Sequence, residues 1–75
     1  DEAEAAYRQA LRLDGKHQAS LFNLASLYEN RGENQKAVDF YQQAKAADIG
    51  SPVGLEALRR LERLRQATQT TTGGT

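Results

Sequence analysis

The feature that most constrains this chain is an internal repeat. Shifted by 34 residues against itself, the sequence aligns Ala3 with Ala37, Tyr7 with Tyr41, Gln9 with Gln43 and Ala10 with Ala44. The same shift aligns Asp14 with Asp48, Leu21 with Leu55, Leu24 with Leu58 and Leu27 with Leu61. A composition this biased gives roughly three such matches by chance, against the eight present. The matches also fall where helical spacing gathers apolar residues. A repeat of this length is one supersecondary unit that buries its apolar face by stacking on its neighbours. The chain is therefore expected to be copies of one helical hairpin rather than a fold with an independent core.

The spacing of apolar residues marks out the helices. The first is expected from Asp1 to Leu13, with Ala3, Ala6, Tyr7, Ala10 and Leu11 on its apolar side. Asp1, Glu2 and Glu4 crowd its start, where carboxylates favour the helix dipole. Asp14-Gly15 stops it, because glycine accepts the left-handed conformation past a helix end. The second is expected from Gln18 to Asn30, buried through Leu21, Leu24, Ala25 and Tyr28 with Leu27 beside them, and stopped at Arg31-Gly32. The third starts near Asn34, a good N-cap, and reaches Ala47, with Ala37, Val38, Tyr41 and Ala44 sharing a face that Phe40 flanks. The turn between the second and third is so short that they must form an antiparallel hairpin. Gly50-Ser51-Pro52 punctuates next: Ser51 can cap, and Pro52 suits a first helical position. The fourth helix is expected to run to Ala67, with Val53, Leu55, Leu58, Leu61 and Leu64 on its apolar side. Residues 68–75 are rich in threonine and glycine with nothing to bury, and are expected to be a disordered tail.

Composition removes several classes of function. Ten basic and ten acidic residues give a net charge of zero, which argues against a general polyanion binder. No apolar run reaches membrane-spanning length, and no signal-peptide pattern opens the chain. There is no cysteine, so neither a disulfide nor a thiolate metal site is available, and composition assigns no compartment. With no methionine, the chain is expected to be a piece or a processed form. His17 is the single histidine and reads as a solvated turn residue. Glu29 and Glu33 are spaced to face each other, but Gly32 breaks the helix between them, so no catalytic carboxylate pair is expected. No nucleophile triad and no phosphate-cradling loop is found. The expectation is a non-enzymatic protein without cofactors or metals.

Leu21-x-x-Leu24-Ala25-x-x-Tyr28 followed by Ala37-x-x-x-Tyr41 and Ala44, at a period of 34 residues, resembles the tetratricopeptide repeat family. Leu21 stands where that pattern has Trp, Ala25 where it has Gly, and Ile49 where it has Pro. The resemblance covers Asp1 to about Leu64 and implies an all-α fold of four antiparallel helices in a right-handed solenoid. Residues 1–67 form the repeat fragment: 1–17 is the second helix of a partial repeat, 18–51 a complete repeat and 52–67 a C-terminal capping helix. The cap reading rests on Arg59 and Glu62, which stand in the places of Ala25 and Tyr28 and hinder a close following helix.

The resemblance implies partner binding in a concave groove lined by the first helix of each unit. The groove positions fall on Ala19, Phe22, Asn23, Ser26, Glu29 and Asn30. In the last helix they fall on Val53, Glu56, Ala57, Arg60, Arg63 and Leu64. Phe22 has two readings, an anchor for a bound peptide or a packing residue between hairpins. A basic clamp for a C-terminal carboxylate is not expected, because of such a cluster only Asn23 is in place. The expected partner is a protein or peptide. Self-association through the uncovered first helix is a second class of function. Nucleic acid or an acidic partner on the arginines of the last helix is a third, and the interleaved Glu56 and Glu62 weigh against it.

Overall fold

The computed structural model describes the backbone of residues 2–73 and the side chains of residues 2–66. It consists of α1 (Glu2–Leu13), α2 (Gln18–Asn30), α3 (Asn34–Ala47) and α4 (Pro52–Gly73), with no strand among the described residues. The antiparallel α2–α3 hairpin forms the centre. α1 lies against α2, and α4 lies mainly against α3 while also touching α2.

The ends of the helices are set by local chemistry, in part not where the sequence pattern placed it. Gly15 does not take a positive φ; among the described residues Gly32 alone does, at 80°. The α1–α2 turn is closed instead by Asp14, whose Oδ1 accepts from the Lys16 amide at 3.0 Å while its carbonyl accepts from the His17 amide at 3.0 Å. His17 is not an idle turn residue. It is the N-cap of α2, and its Nδ1 accepts from the Ser20 amide at 3.2 Å and lies 2.7 Å from Ser20 Oγ. α3 has Glu33 at its cap position without a side-chain cap bond, so Asn34 is the first helical residue rather than the cap. Ser51 caps α4 as expected, its Oγ accepting from the Gly54 amide at 3.0 Å. α4 is helical past Ala67 to Gly73, since extending an existing helix needs no new nucleus. The expected tail thus starts inside this helix; its side chains, and Gly74 and Thr75 altogether, lie outside the described residues.

The core comprises Leu21, Leu24, Ala25 and Tyr28 of α2, Ala37, Tyr41 and Ala44 of α3, and Ala57 and Leu64 of α4. Tyr28, Tyr41 and Leu24 are the largest fully buried side chains, each stabilising the fold by about 1.5–3 kcal/mol. Alanines sit where backbones approach: Ala25, Ala37, Ala44 and Ala57 are all fully buried. The repeat register holds in space. Tyr41 meets Arg60 of the following helix, and Tyr7 shares a hollow with Ser26, the residue that stands 34 positions before Arg60.

α4 departs from its expected apolar face. Leu55 and Leu58 remain 50% and 38% exposed, and Ala57, Leu61 and Leu64 make the inward contact. Leu21 and Leu24, their repeat equivalents, are buried against α3, whereas no described helix stands on that side of α4.

A polar pin joins three helices. Gln18 Nε2 donates to the carbonyls of Ala44 at 2.8 Å and Asp48 at 3.1 Å, while its Oε1 lies 2.8 Å from Ser51 Oγ. Gly54 lets the first turn of α4 pass directly over this corner: a Cβ on Gly54 would sit 2.2 Å from the Asp48 carbonyl oxygen.

Candidate functional site

Glu29 organises the surface shared by α2 and α4. Its Oε1 accepts from the Tyr41 hydroxyl at 2.7 Å, and its Oε2 accepts from Arg63 at 2.6 Å. Arg60 Nη1 lies 3.7 Å from Glu29 Oε1 and 3.3 Å from Tyr41 Oη, while its Nε donates to Glu56 at 3.1 Å. The Arg60 guanidinium also covers the ring of Phe22, 5.4 Å from its centroid. Phe22 in turn meets Tyr41 edge to face, with ring centroids 5.4 Å apart and planes at 66°.

The charges are tuned by these contacts. Burial pushes the Glu29 carboxyl up, but the Tyr41 hydroxyl and Arg63 together outweigh it and hold the group below its usual range. Burial, with the Glu29 carboxylate beside it, drives the Tyr41 phenol up. Arg60 is raised chiefly by its bond to Glu56. With Arg59 also on Glu56, two carboxylates face three guanidiniums, so most of the charge is balanced within the cluster. Ion pairs this exposed contribute at most about 1 kcal/mol each. Their effect is to hold α2 and α4 at one spacing.

The expected groove residues therefore divide. Phe22, Glu29, Arg60 and Arg63 come together between α2 and α4. Asn23, Ser26 and Asn30 turn the other way and, with Ala3, Tyr7 and Leu27, line a shallow hollow of about 210 Å³ between α1 and α2. Ala19 is exposed in the first turn of α2. Val53 and Glu56 are half-buried, whereas Ala57 and Leu64 are core residues and take no part in the α2–α4 surface. Burial requires small or apolar residues at those two places, which is why a groove assignment from helix position alone overreached.

Sequence reasoning placed Tyr28 and Tyr41 in the core but missed that each hydroxyl reaches out to a carboxylate. Tyr28 Oη donates to Glu4 Oε2 at 2.5 Å, and Arg8 and Arg31 bind the same carboxylate at 3.2 Å and 3.1 Å. Arg8 also hydrogen-bonds Tyr28 Oη. The Tyr28 bond, reinforced by Arg31, lowers Glu4 to about 2. No buried side-chain polar atom among the described residues is left without a partner. The signal available in the sequence was the presence of large polar aromatics at core spacing, since a buried tyrosine hydroxyl needs an acceptor.

The arginines of α4 are largely engaged within the chain. Arg59 pairs with Glu56 at 3.4 Å, and Arg60 and Arg63 with Glu56 and Glu29. Among the described residues no group of three or more histidine, cysteine or acidic side chains could hold a metal ion, and no helix is long and apolar enough to cross a membrane.

Comparison with known proteins agrees with the register. The family model described as tetratricopeptide repeat matches residues 1–52. No curated protein and no solved structure gives a significant match. A model match over more than half of the chain, on an all-helical structure in which Ala3, Tyr7 and Ala10 of α1 recur as Ala37, Tyr41 and Ala44 of α3, places the protein in the tetratricopeptide repeat family.

Proposed function

We propose that this chain is a non-enzymatic scaffold or adaptor module that binds a peptide or helix of a partner protein along the outward face of α2, bordered by α4. Repeats of this family are generally protein-interaction modules. The observation that carries the reading is that Asn23 and Asn30 stand exposed on the α1 side of α2, a helix whose other side is held at fixed spacing from α4 through Glu29, Arg60 and Arg63. Asparagine amides can donate to and accept from a peptide backbone, and a preset surface costs a partner less ordering on binding. Phe22 contributes by packing on Tyr41 under Arg60, so it shapes the face rather than offering a free anchor.

The test uses the chain and an Asn23→Ala, Asn30→Ala double variant as baits, followed by titration of each purified captured protein. Support requires a partner bound by the chain and weakened at least several-fold by the double variant, with unchanged helicity. If every captured protein binds both baits equally, this face is not the site. Binding to nucleic acid with a steep salt dependence would favour the basic-helix reading instead.

A further inference from the structure

A groove of about 280 Å³ lies on the opposite side of α4, against α3. Leu58, Leu61 and Leu64 of α4 and Val38 of α3 form its apolar floor, and Lys45 and Arg65 stand at its rim. The repeat register explains why it is open. Glu62 lies 34 residues after Tyr28. Around α2, Tyr28 fills the corresponding space: its ring stacks on Phe40 with centroids 5.6 Å apart, and Lys36, Arg31 and Arg8 surround it at 5.3, 5.8 and 5.9 Å. An exposed glutamate does not fill the place of that ring, and the groove is what remains.

We propose that the α3–α4 groove is a second docking surface, for an acidic amphipathic helix of a partner protein that inserts an aromatic side chain where Tyr28 would stand. Room is sufficient, since an apolar cavity of about 150 Å³ already holds a benzene ring. The charge fits as well. Lys45 and Arg65 make no ion pair with any described residue, unlike Arg60 and Arg63 on the other face. Cations around an aromatic are how the chain itself holds Tyr28. Leu55 and Leu58 extend the apolar stripe along α4 and give a helix further contact. Arg59 occupies the place of Ala25, so the incoming helix sits further out than α3 sits on α2 and must reach in with long side chains. That disfavours a second copy of this chain: Tyr7 and Leu11 of α1 are already packed against the core, which leaves the small Ala3 and Ala6 to offer, and its Glu4 is bound to Tyr28 and Arg31.

The experiment titrates the full chain with a labelled synthetic helix bearing a leucine stripe, flanking glutamates and one central tyrosine. Two control peptides carry lysine for glutamate and alanine for the tyrosine. The acidic aromatic helix should bind, the alanine peptide several-fold more weakly, and the lysine peptide weakest. Lys45→Glu with Arg65→Glu should weaken the acidic helix roughly tenfold. Glu62→Tyr, which fills the groove from within, should abolish binding while helicity and thermal midpoint are retained. The Asn23→Ala, Asn30→Ala variant should bind as the unaltered chain does, which separates this surface from the α2 face. The proposal is overturned if Glu62→Tyr binds undiminished, or if the acidic and basic helices bind alike. It is also overturned if sedimentation shows a dimer that Glu62→Tyr dissociates, since a second copy then covers the groove.

Discussion

Replacing Gly54 by alanine sets local propensity against tertiary packing. In an exposed helix interior the exchange stabilises by about 1 kcal/mol, because glycine gives up more backbone freedom. In α4 the new Cβ would lie 2.2 Å from the Asp48 carbonyl oxygen and 3.2 Å from that of Ile49. Carbon–oxygen contacts settle at about 3.3–3.6 Å, so α4 and the turn must separate by roughly an ångström. The turn resists, because the Asp48 oxygen accepts from Gln18 Nε2 at 3.1 Å and from the Ser51 amide at 3.3 Å. Overpacking strain of this kind costs about 1–3 kcal/mol, and each weakened hydrogen bond about 0.5–1.5 kcal/mol. With mid-range strain and one bond lost, Gly54→Ala should destabilise the chain by about 2 kcal/mol after the propensity gain is counted. At about 4–8 °C per kcal/mol for a chain of this size, the thermal midpoint should fall by roughly 10 °C. Circular dichroism at 222 nm, followed through heat and urea, measures this. Gly50→Ala is the control, because nothing lies within 4 Å of its added Cβ. If Gly54→Ala melts at or above the unaltered chain, the close approach of α4 to the turn is not part of the native state.

Further outcomes follow from other contacts. Glu4 is pulled down to about 2, first by the Tyr28 hydroxyl and then by Arg31, so its stabilising contribution is complete above about pH 4.5 and is lost as pH falls toward 2. Urea midpoints between pH 2 and 6 should therefore fall more steeply for the unaltered chain than for Glu4→Gln, and parallel curves would contradict the Glu4 assignment. His17→Ala removes the α2 cap and should cost about 1 kcal/mol, of which His17→Asn recovers most; equal losses in the two variants would show that Nδ1 does not cap. Phe22→Ala should destabilise by roughly 2 kcal/mol, about half the value for a fully buried phenylalanine, because Phe22 is only partly covered by Tyr41 and Arg60. A Phe22→Ala protein of unchanged stability and reduced partner affinity would instead make Phe22 a free anchor.

The sequence alone determined the repeat, the helices and most of the core. Recurrence of Ala, Tyr and Leu at fixed spacing follows from helical periodicity, and periodicity survives in a string of letters. The bounds of α2 and α3 and the burial of Leu21, Leu24, Tyr28, Ala37, Tyr41 and Ala44 were legible for that reason. What faces what was not legible, because it depends on which helices stand beside one another. The same leucine is buried at 24 and part-exposed at 58, since α3 covers one side of α2 and no described helix covers the matching side of α4. The groove positions of α2 were assigned to one concave groove, yet Phe22 and Glu29 face α4 while Asn23, Ser26 and Asn30 face α1. Tertiary structure alone made Gln18 a pin between three helices, Gly54 a required gap and Glu62 the reason for a groove, because each role depends on how helices and turns meet in space.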